Sequence, residues 1–217
     1  MNKMGGDILL DNKGFDLWAK EYDKSVEKSS SEYPFDGYYD VLNYVYNSVV
    51  NKESKQILDV GFGTGLLTSK LYECGAKIYG IDFSKTMIDI AKKKMPNGVF
   101  MQHDFNLGIP SELTCEKFDY IISSYAIHHL NDHKKVEFIC ELKDLLNEDG
   151  KIIIADIAFK SEKDLLQCKI DNLNKWDEDE IYMIEEKLLP SLYTNNISSK
   201  YTQISSCAGI LEIDLNN

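Results

Sequence analysis

The chain lacks arginine altogether, so lysine supplies all 24 of its basic residues. The guanidinium fork, which holds carboxylates and phosphates through two parallel hydrogen bonds, is therefore unavailable to any binding site of this chain. The acidic residues number 36, and the formal net charge is −12. Because nucleic acids and anionic membranes are bound mainly through their phosphates, this charge predicts neither of them as a partner.

Cysteine is scarce as well. The five cysteines are scattered, odd in number and never arranged as a C-x-x-C pair: Cys74, Cys115, Cys140, Cys168 and Cys207. This pattern predicts reduced thiols in the cytoplasm, with neither a disulfide framework nor a zinc site. No apolar run approaches the roughly 20 residues of a membrane helix. The first residues also lack the apolar core of a signal peptide.

Predicted strands and helices alternate along most of the chain, which we interpret as one domain of 217 residues. Two helices within residues 15–50 precede a core of strands and helices over residues 55–160. Residues 161–217 are predicted to form helices at 161–173 and 177–188, followed by two short strands. Seven predicted strands alternating with helices indicate an α/β fold with a doubly wound, mostly parallel sheet. Ligands of such sheets bind beyond the carboxyl ends of the strands.

A glycine-rich loop follows the first strand in the stretch ILDVGFGTGLL, residues 57–67. Gly61, Gly63 and Gly65 allow backbone conformations with positive φ and a close approach of a ligand to the main chain. The N–H groups of the next helix favour a ligand with an anionic or electron-rich end. The dinucleotide pattern G-x-G-x-x-G would need glycine where Leu66 stands, and no G-K-[ST] of a nucleotide-phosphate loop follows.

The pattern D-x-G-x-G-x-G, from Asp59 to Gly65, resembles motif I of the class I S-adenosylmethionine-dependent methyltransferases. The ends of the next three strands also resemble the corresponding segments of this family. Strand two ends at Asp82, strand three ends at Asp104 and Phe105, and strand four runs into SSYAIHHL. The opening FDLWAKEYDKSV resembles its N-terminal helix, which closes over the cofactor. The resemblance covers roughly residues 15–160 and is closest to small bacterial methyltransferases linked to sulfur amino-acid recycling. It implies a Rossmann-like sheet, with the last strand antiparallel, and S-adenosyl-L-methionine as cofactor.

The resemblance also implies roles for individual residues. Asp82 accepts hydrogen bonds from both ribose hydroxyls, and Asp104 either reads the adenine amino group or caps the loop that does. Met87 and Phe83 sandwich the adenine, although Met87 fits equally well as a core residue. Asp59 faces the cofactor's ammonium group through water or orders the loop. The predicted cofactor-binding residues are Tyr22, Asp59, Gly61, Gly63, Gly65, Asp82, Phe83, Met87, Asp104, Phe105 and Ser123.

The cofactor's sulfonium is a cation, and aromatic faces attract cations. Trp18, Tyr22 and Tyr125 are candidates for this contact; Tyr22 could instead donate its hydroxyl to the cofactor carboxylate, and Trp18 could simply pack. His128 and Tyr125 are the candidate catalytic residues. On a helix, His128 and His129 would point about 100° apart, so we predict no metal site from them. We expect one of them to line the acceptor pocket, as a general base if one exists, and the other to pack.

The methyl acceptor is predicted to be a small molecule. The segment after strand four contains no [ND]-P-P-[YF] sequence of the kind used on nucleic-acid amines, and the chain has no Pro-Cys pair for cytosine C5 methylation. Residues 161–197 and the N-terminal helices are expected to form the acceptor pocket. Two alternatives remain: a non-catalytic sensor that binds the same cofactor, and a nicotinamide-dependent oxidoreductase, which Leu66 disfavours. The oligomeric state has no signature in the sequence.

Overall fold

The computed structural model describes residues 32–50 and 55–215. The predicted first helix, with Trp18 and Tyr22, lies outside the described residues. The strands are β1 Gln56–Val60, β2 Lys77–Asp82, β3 Val99–Gln102, β4 Phe118–Ser124, β5 Leu146–Phe159, β6 Met183–Ile184, β7 Ser199–Gln203 and β8 Ala208–Asp214. The α-helices are α1 Tyr38–Val49, α2 Leu66–Glu73, α3 Lys85–Lys94, α4 Asp132–Lys143, α5 Glu162–Asp171 and α6 Glu185–Thr194. None of these described helices is long and apolar enough to cross a membrane.

The strands form one sheet in the order β3-β2-β1-β4-β5-β8-β7, and the two-residue β6 pairs with β5. Strands β1 to β5 run parallel to one another. Strand β8 runs antiparallel to both of its neighbours, β5 and β7. The predicted doubly wound, mostly parallel sheet of seven strands with an antiparallel last strand is thus confirmed, with β6 as an addition. The strand order reverses between β1 and β4, so a ligand crevice is expected beyond their carboxyl ends.

The core lies on both faces of the sheet because successive side chains of a strand point to opposite faces. In β1, Ile57 joins the apolar cluster that includes α1, α2 and α3, whereas Leu58 joins the cluster that includes α4 and α6. In β5, Ile153 and Ile154 divide between the same two clusters. Parallel strands buried on both faces read as continuous apolar runs, which is why the sequence predicted them well.

The predicted helix at residues 177–188 is wrong for residues 177–184. Residues 177–182 form no helix, β6 follows them, and α6 begins only at Glu185. The N–H of Ile181 donates to the carbonyl of His128 at 2.9 Å. The hydroxyl of Tyr182 donates to Glu180 at 2.7 Å. The contact of Ile181 with His128, a residue of a distant segment, overrides the local helical pattern of this acidic stretch.

Candidate active site

The glycine loop between β1 and α2 has two kinds of glycine. Gly61, Gly63 and Gly65 all have positive φ, at 69°, 55° and 72°. A Cβ at Gly61 would lie 2.4 Å from the Cβ of Ala126, and one at Gly65 would lie 2.7 Å from Cε of Met95. A Cβ at Gly63 would meet no protein atom within 4 Å. Packing therefore leaves no room for a side chain at Gly61, a Cβ at Gly65 would have to displace the end of Met95, and Gly63 faces open space.

Asp82 holds this loop in place. Its side chain is only 4% exposed at the end of β2. One carboxylate oxygen accepts a hydrogen bond from the N–H of Gly63, and the other accepts one from the N–H of Ser84, both at 2.8 Å. A carboxylate can accept about four hydrogen bonds. Asp82 can therefore position the glycine loop and bind hydroxyl groups of a ligand at the same time.

Asp59 is a buried carboxylate whose two oxygens have different surroundings. The hydroxyl of Thr68 donates to Oδ2, whereas Oδ1 has no hydrogen-bond partner within the described part of the chain. Burial raises the pKa of Asp59 to about 7; the bond from Thr68 opposes this rise, and the charge of Asp82 adds to it. An unsatisfied buried oxygen is costly. It is therefore suited to a ligand's positively charged donor, such as an ammonium group.

A cleft opens where these groups meet, with about 780 Å³ of empty space when the open solvent at its mouth is included. Eight of the residues predicted from the sequence line it: Asp59, Gly61, Gly63, Asp82, Phe83, Met87, Phe105 and Tyr125. The wall also includes residues that were not predicted, among them Tyr38, Leu42, Ser124 and Ala126. Tyr38 and Leu42 were missed because, spaced four apart on α1, they read from the sequence only as the buried face of a helix.

Several predicted residues lie outside the cleft wall. Gly65 is the N-cap of α2 and packs against Met95. Asp104 caps the short 3-10 helix Phe105–Leu107 by accepting the N–H of Asn106 at 2.9 Å. Tyr22 lies outside the described residues.

Ser123 is also absent from the wall. Its hydroxyl donates to the carbonyl of Val60 at 2.9 Å, which ties β4 to β1. The next residue, Ser124, lines the cleft instead. Alternation of side chains along β4 accounts for the one-residue difference.

Tyr125 has an unusual backbone conformation for a residue that is not glycine, with φ at 52°. Its N–H donates to the carbonyl of Ala155 at 2.8 Å, and its ring lies 4.9 Å from that of Tyr38. Such backbone strain is concentrated at functional sites. The strained turn brings an aromatic ring into the wall of the cleft next to the glycine loop.

The structure separates the two adjacent histidines. His128, predicted as the catalytic candidate, is 7% exposed and does not line the cleft; His129 does. Both belong to the 3-10 helix Ile127–His129, in which neighbouring side chains diverge. Nδ1 of His128 lies 2.6 Å from Asp156, and Nε2 lies 3.4 Å from Glu180. One histidine was predicted to line the acceptor pocket and the other to pack; in the structure His129 lines the cleft and His128 is buried outside its wall.

The described residues fit the cofactor that the sequence resemblance implies. Gly63 leaves space beside the main chain, Asp82 offers acceptors to a diol, and Asp59 offers an unsatisfied oxygen to a cation. Phe83 and Phe105 add apolar surface for a flat ring.

Comparison with known proteins agrees with this geometry. Residues 57–150 match the family described as a methyltransferase domain. An uncharacterized methyltransferase of Alkaliphilus oremlandii is 38% identical over 184 residues, which cover 84% of this chain and 82% of that protein. An uncharacterized methyltransferase of Anoxybacillus flavithermus is 43% identical over 147 residues, which cover 67% of this chain and 66% of that protein.

Solved structures with the same fold are more distant in sequence. The DhpI–SAH complex has a TM-score of 0.69 at 16% identity and covers 93% of both chains. Magnesium protoporphyrin IX methyltransferase from Synechocystis PCC 6803 with bound SAH has a TM-score of 0.68 at 22% identity, covering 94% of this chain and 95% of that one. At these identities the likeness shows the fold alone.

Proposed function

The chain belongs to the class I S-adenosylmethionine-dependent methyltransferases, and on that premise we propose that it methylates a small-molecule acceptor by in-line transfer. The observation that carries this proposal is the combination of Gly63, Asp82 and the unsatisfied Oδ1 of Asp59 around one cleft. Each of these groups matches a different part of the cofactor. Bound in the cleft, S-adenosylmethionine supplies a sulfonium-linked methyl group that is already activated for displacement.

Individual residues can then be given roles. Asp82 would accept the ribose hydroxyls while it holds the glycine loop, and Asp59 would receive the ammonium group. Phe83 and Phe105 would contact the adenine ring. Tyr125 would face the sulfonium, because aromatic faces attract cations. Alignment of the acceptor with the methyl group then provides much of the rate acceleration.

A small acceptor is supported by charge. The net charge of −12 opposes binding of nucleic acid, and the described wall of the cleft contains no lysine. The resemblance to methyltransferases linked to sulfur amino-acid recycling adds thiol- and amine-bearing metabolites to the acceptors to be tested. All five cysteines are free thiols, which fits the cytoplasmic location that we also propose.

Calorimetric titration with S-adenosylmethionine, S-adenosylhomocysteine and NAD tests the cofactor assignment. We expect both sulfur ligands to bind and NAD not to bind. Production of S-adenosylhomocysteine on addition of small amines and thiols then tests catalysis. Binding without turnover on any acceptor would favour the sensor alternative, and binding of NAD alone would refute the assignment.

A further inference from the structure

Thr68 is a buried residue of α2 whose side chain reaches back to the strand that precedes the glycine loop. Its hydroxyl donates to Oδ2 of Asp59, which lies nine residues earlier in β1. Both residues belong to the wall of the cleft. The loop between β1 and α2 therefore places a hydroxyl donor directly behind the carboxylate to which the proposed function assigns the cofactor's ammonium group.

The bond from Thr68 distinguishes the two oxygens of Asp59. The terminal torsion of an aspartate side chain has a broad range when nothing restrains it. A threonine hydroxyl has a single proton to donate, and here that proton is directed to Oδ2. Oδ1 is buried and has no hydrogen-bond partner within the described part of the chain. Thr68 thus restrains the plane of the carboxylate and leaves Oδ1 as the oxygen that a ligand can use.

The charges in the cleft wall favour a cation at Oδ1. Asp82 is a second carboxylate of this wall, and its charge adds to the rise in the pKa of Asp59 that burial causes. The described part of the wall contains no lysine, and the chain has no arginine. A positively charged donor would offset both the burial of Asp59 and its repulsion by Asp82. Of the two charged groups at the amino-acid end of the cofactor, the ammonium meets this requirement and the carboxylate does not.

We propose that Thr68 is a positioning residue for the cofactor's ammonium group: its hydroxyl fixes the plane of the Asp59 carboxylate so that Oδ1 receives the ammonium. This inference rests on the proposed function, which gives Thr68 no role. The same bond could instead serve to tie α2 to β1. A structural tie would affect every ligand of the cleft alike, whereas a positioning role concerns only a ligand that carries the ammonium group.

Calorimetric titration of two proteins with two ligands separates these roles, because the cycle measures the coupling between the hydroxyl and the ammonium. The proteins are the wild type and Thr68→Val, which has a side chain of similar shape without the donor. The ligands are S-adenosylhomocysteine and its deaminated analogue, in which hydrogen replaces the ammonium group. We expect Thr68→Val to weaken S-adenosylhomocysteine about tenfold and the analogue less than about twofold.

Two variants serve as controls. Thr68→Ser keeps the hydroxyl and should bind S-adenosylhomocysteine within about threefold of the wild type. Ser69→Ala removes the hydroxyl of the neighbouring residue in α2, which donates to the carbonyl of Leu66 at 3.2 Å. This variant should change neither affinity.

The pH dependence of binding is a second readout. The bond from Thr68 lowers the pKa of Asp59, against the effects of burial and of the charge of Asp82. Its loss should raise that pKa further. In Thr68→Val, the increase in S-adenosylhomocysteine affinity that accompanies ionisation of Asp59 should therefore occur at higher pH than in the wild type.

Equal weakening of the two ligands in Thr68→Val, or an unchanged pH dependence, would overturn the proposal. Equal affinity of the wild type for the two ligands would also overturn it. Thr68→Ala, which likewise lacks the donor, takes the place of Thr68→Val in the cycle if the latter does not fold. Failure of S-adenosylhomocysteine to bind the wild type would refute the proposed function itself, whereas binding without a ligand-dependent loss refutes this inference alone.

Discussion

Replacement of Asp82 by alanine should weaken both the fold and the cofactor complex. A carboxylate at the end of a strand would ordinarily be open to solvent and contribute little to stability. In the structure it is 4% exposed and accepts the N–H groups of Gly63 and Ser84, both at 2.8 Å. The substitution therefore removes two charge-assisted bonds to the main chain in addition to the acceptor for the ribose.

The magnitude follows from those bonds. A hydrogen bond to a charged group contributes about 1.5–3 kcal/mol, and water entering the cleft would recover part of the loss. We expect the free energy of unfolding of Asp82→Ala to decrease by about 2–4 kcal/mol. Loss of the ribose acceptor should weaken S-adenosylhomocysteine binding by a further 30- to 150-fold, or about 2–3 kcal/mol. Asp82→Asn should resemble alanine in stability, because its amide NH₂ must face one of the two N–H donors.

Urea unfolding gives the stability, and calorimetry at a temperature where each variant is folded gives the affinity. Asp89→Ala is the matched control, since this exposed carboxylate on α3 pairs with Lys85 at the surface and its loss should change stability by less than about 1 kcal/mol. Loss of stability with full affinity would mean that Asp82 stabilises the glycine loop but does not bind the cofactor. Wild-type values for both would refute the reasoning entirely.

Three further predictions concern the same cleft. Gly63→Ala and Gly75→Ala should lose similar stability, because both glycines have positive φ and open space around a Cβ. Only Gly63→Ala should weaken the binding of S-adenosylhomocysteine in calorimetry. Equal affinities of the two variants for this ligand would contradict the prediction. Asp59, with its pKa raised to about 7, should stabilise the ligand-free fold below about pH 4 and lose that contribution as pH rises through 7. Ligand affinity should instead increase over this range with release of a proton, and Asp59→Asn should abolish that dependence. If the ring of Tyr125 faces the sulfonium, Tyr125→Leu should weaken the binding of S-adenosylmethionine about threefold more than the binding of S-adenosylhomocysteine. An equal loss of affinity for both ligands in calorimetric titration would place the ring elsewhere.

Much of the fold and the loop side of the site could be predicted because their signals are local. The apolar runs of β1, β2 and β4 mark buried parallel strands. The alternating glycines after β1 mark a loop that the structure confirms as three residues with positive φ. Asp82 could be located by counting strands. Its bonds to Gly63 and Ser84 could not be foreseen, because they depend on how closely the loop folds back over β2.

The errors arose where side chains from distant segments meet. The stretch before β6 has enough helix-forming residues to predict a helix, yet Glu180 and Tyr182 are held by contacts with other segments. The choice between His128 and His129 depended on Asp156, a residue of β5 that no pattern around the histidines reveals. Asp104 was predicted either to read the adenine or to cap the loop that does, and its side chain caps the following turn.

The two sides of the cleft therefore differ in how they are encoded. The glycine loop is held by main-chain N–H groups and a carboxylate 19 residues away, so a short motif specifies it. The packing around His128 instead depends on residues that are further apart in the chain: His128 pairs with Asp156, 28 residues away, and Tyr33 pairs with Tyr182, 149 residues away. Such pairs leave no periodic trace, and each partner can change without altering the glycine motif. We therefore expect the residues that select the acceptor to lie among such long-range contacts and not in the glycine motif.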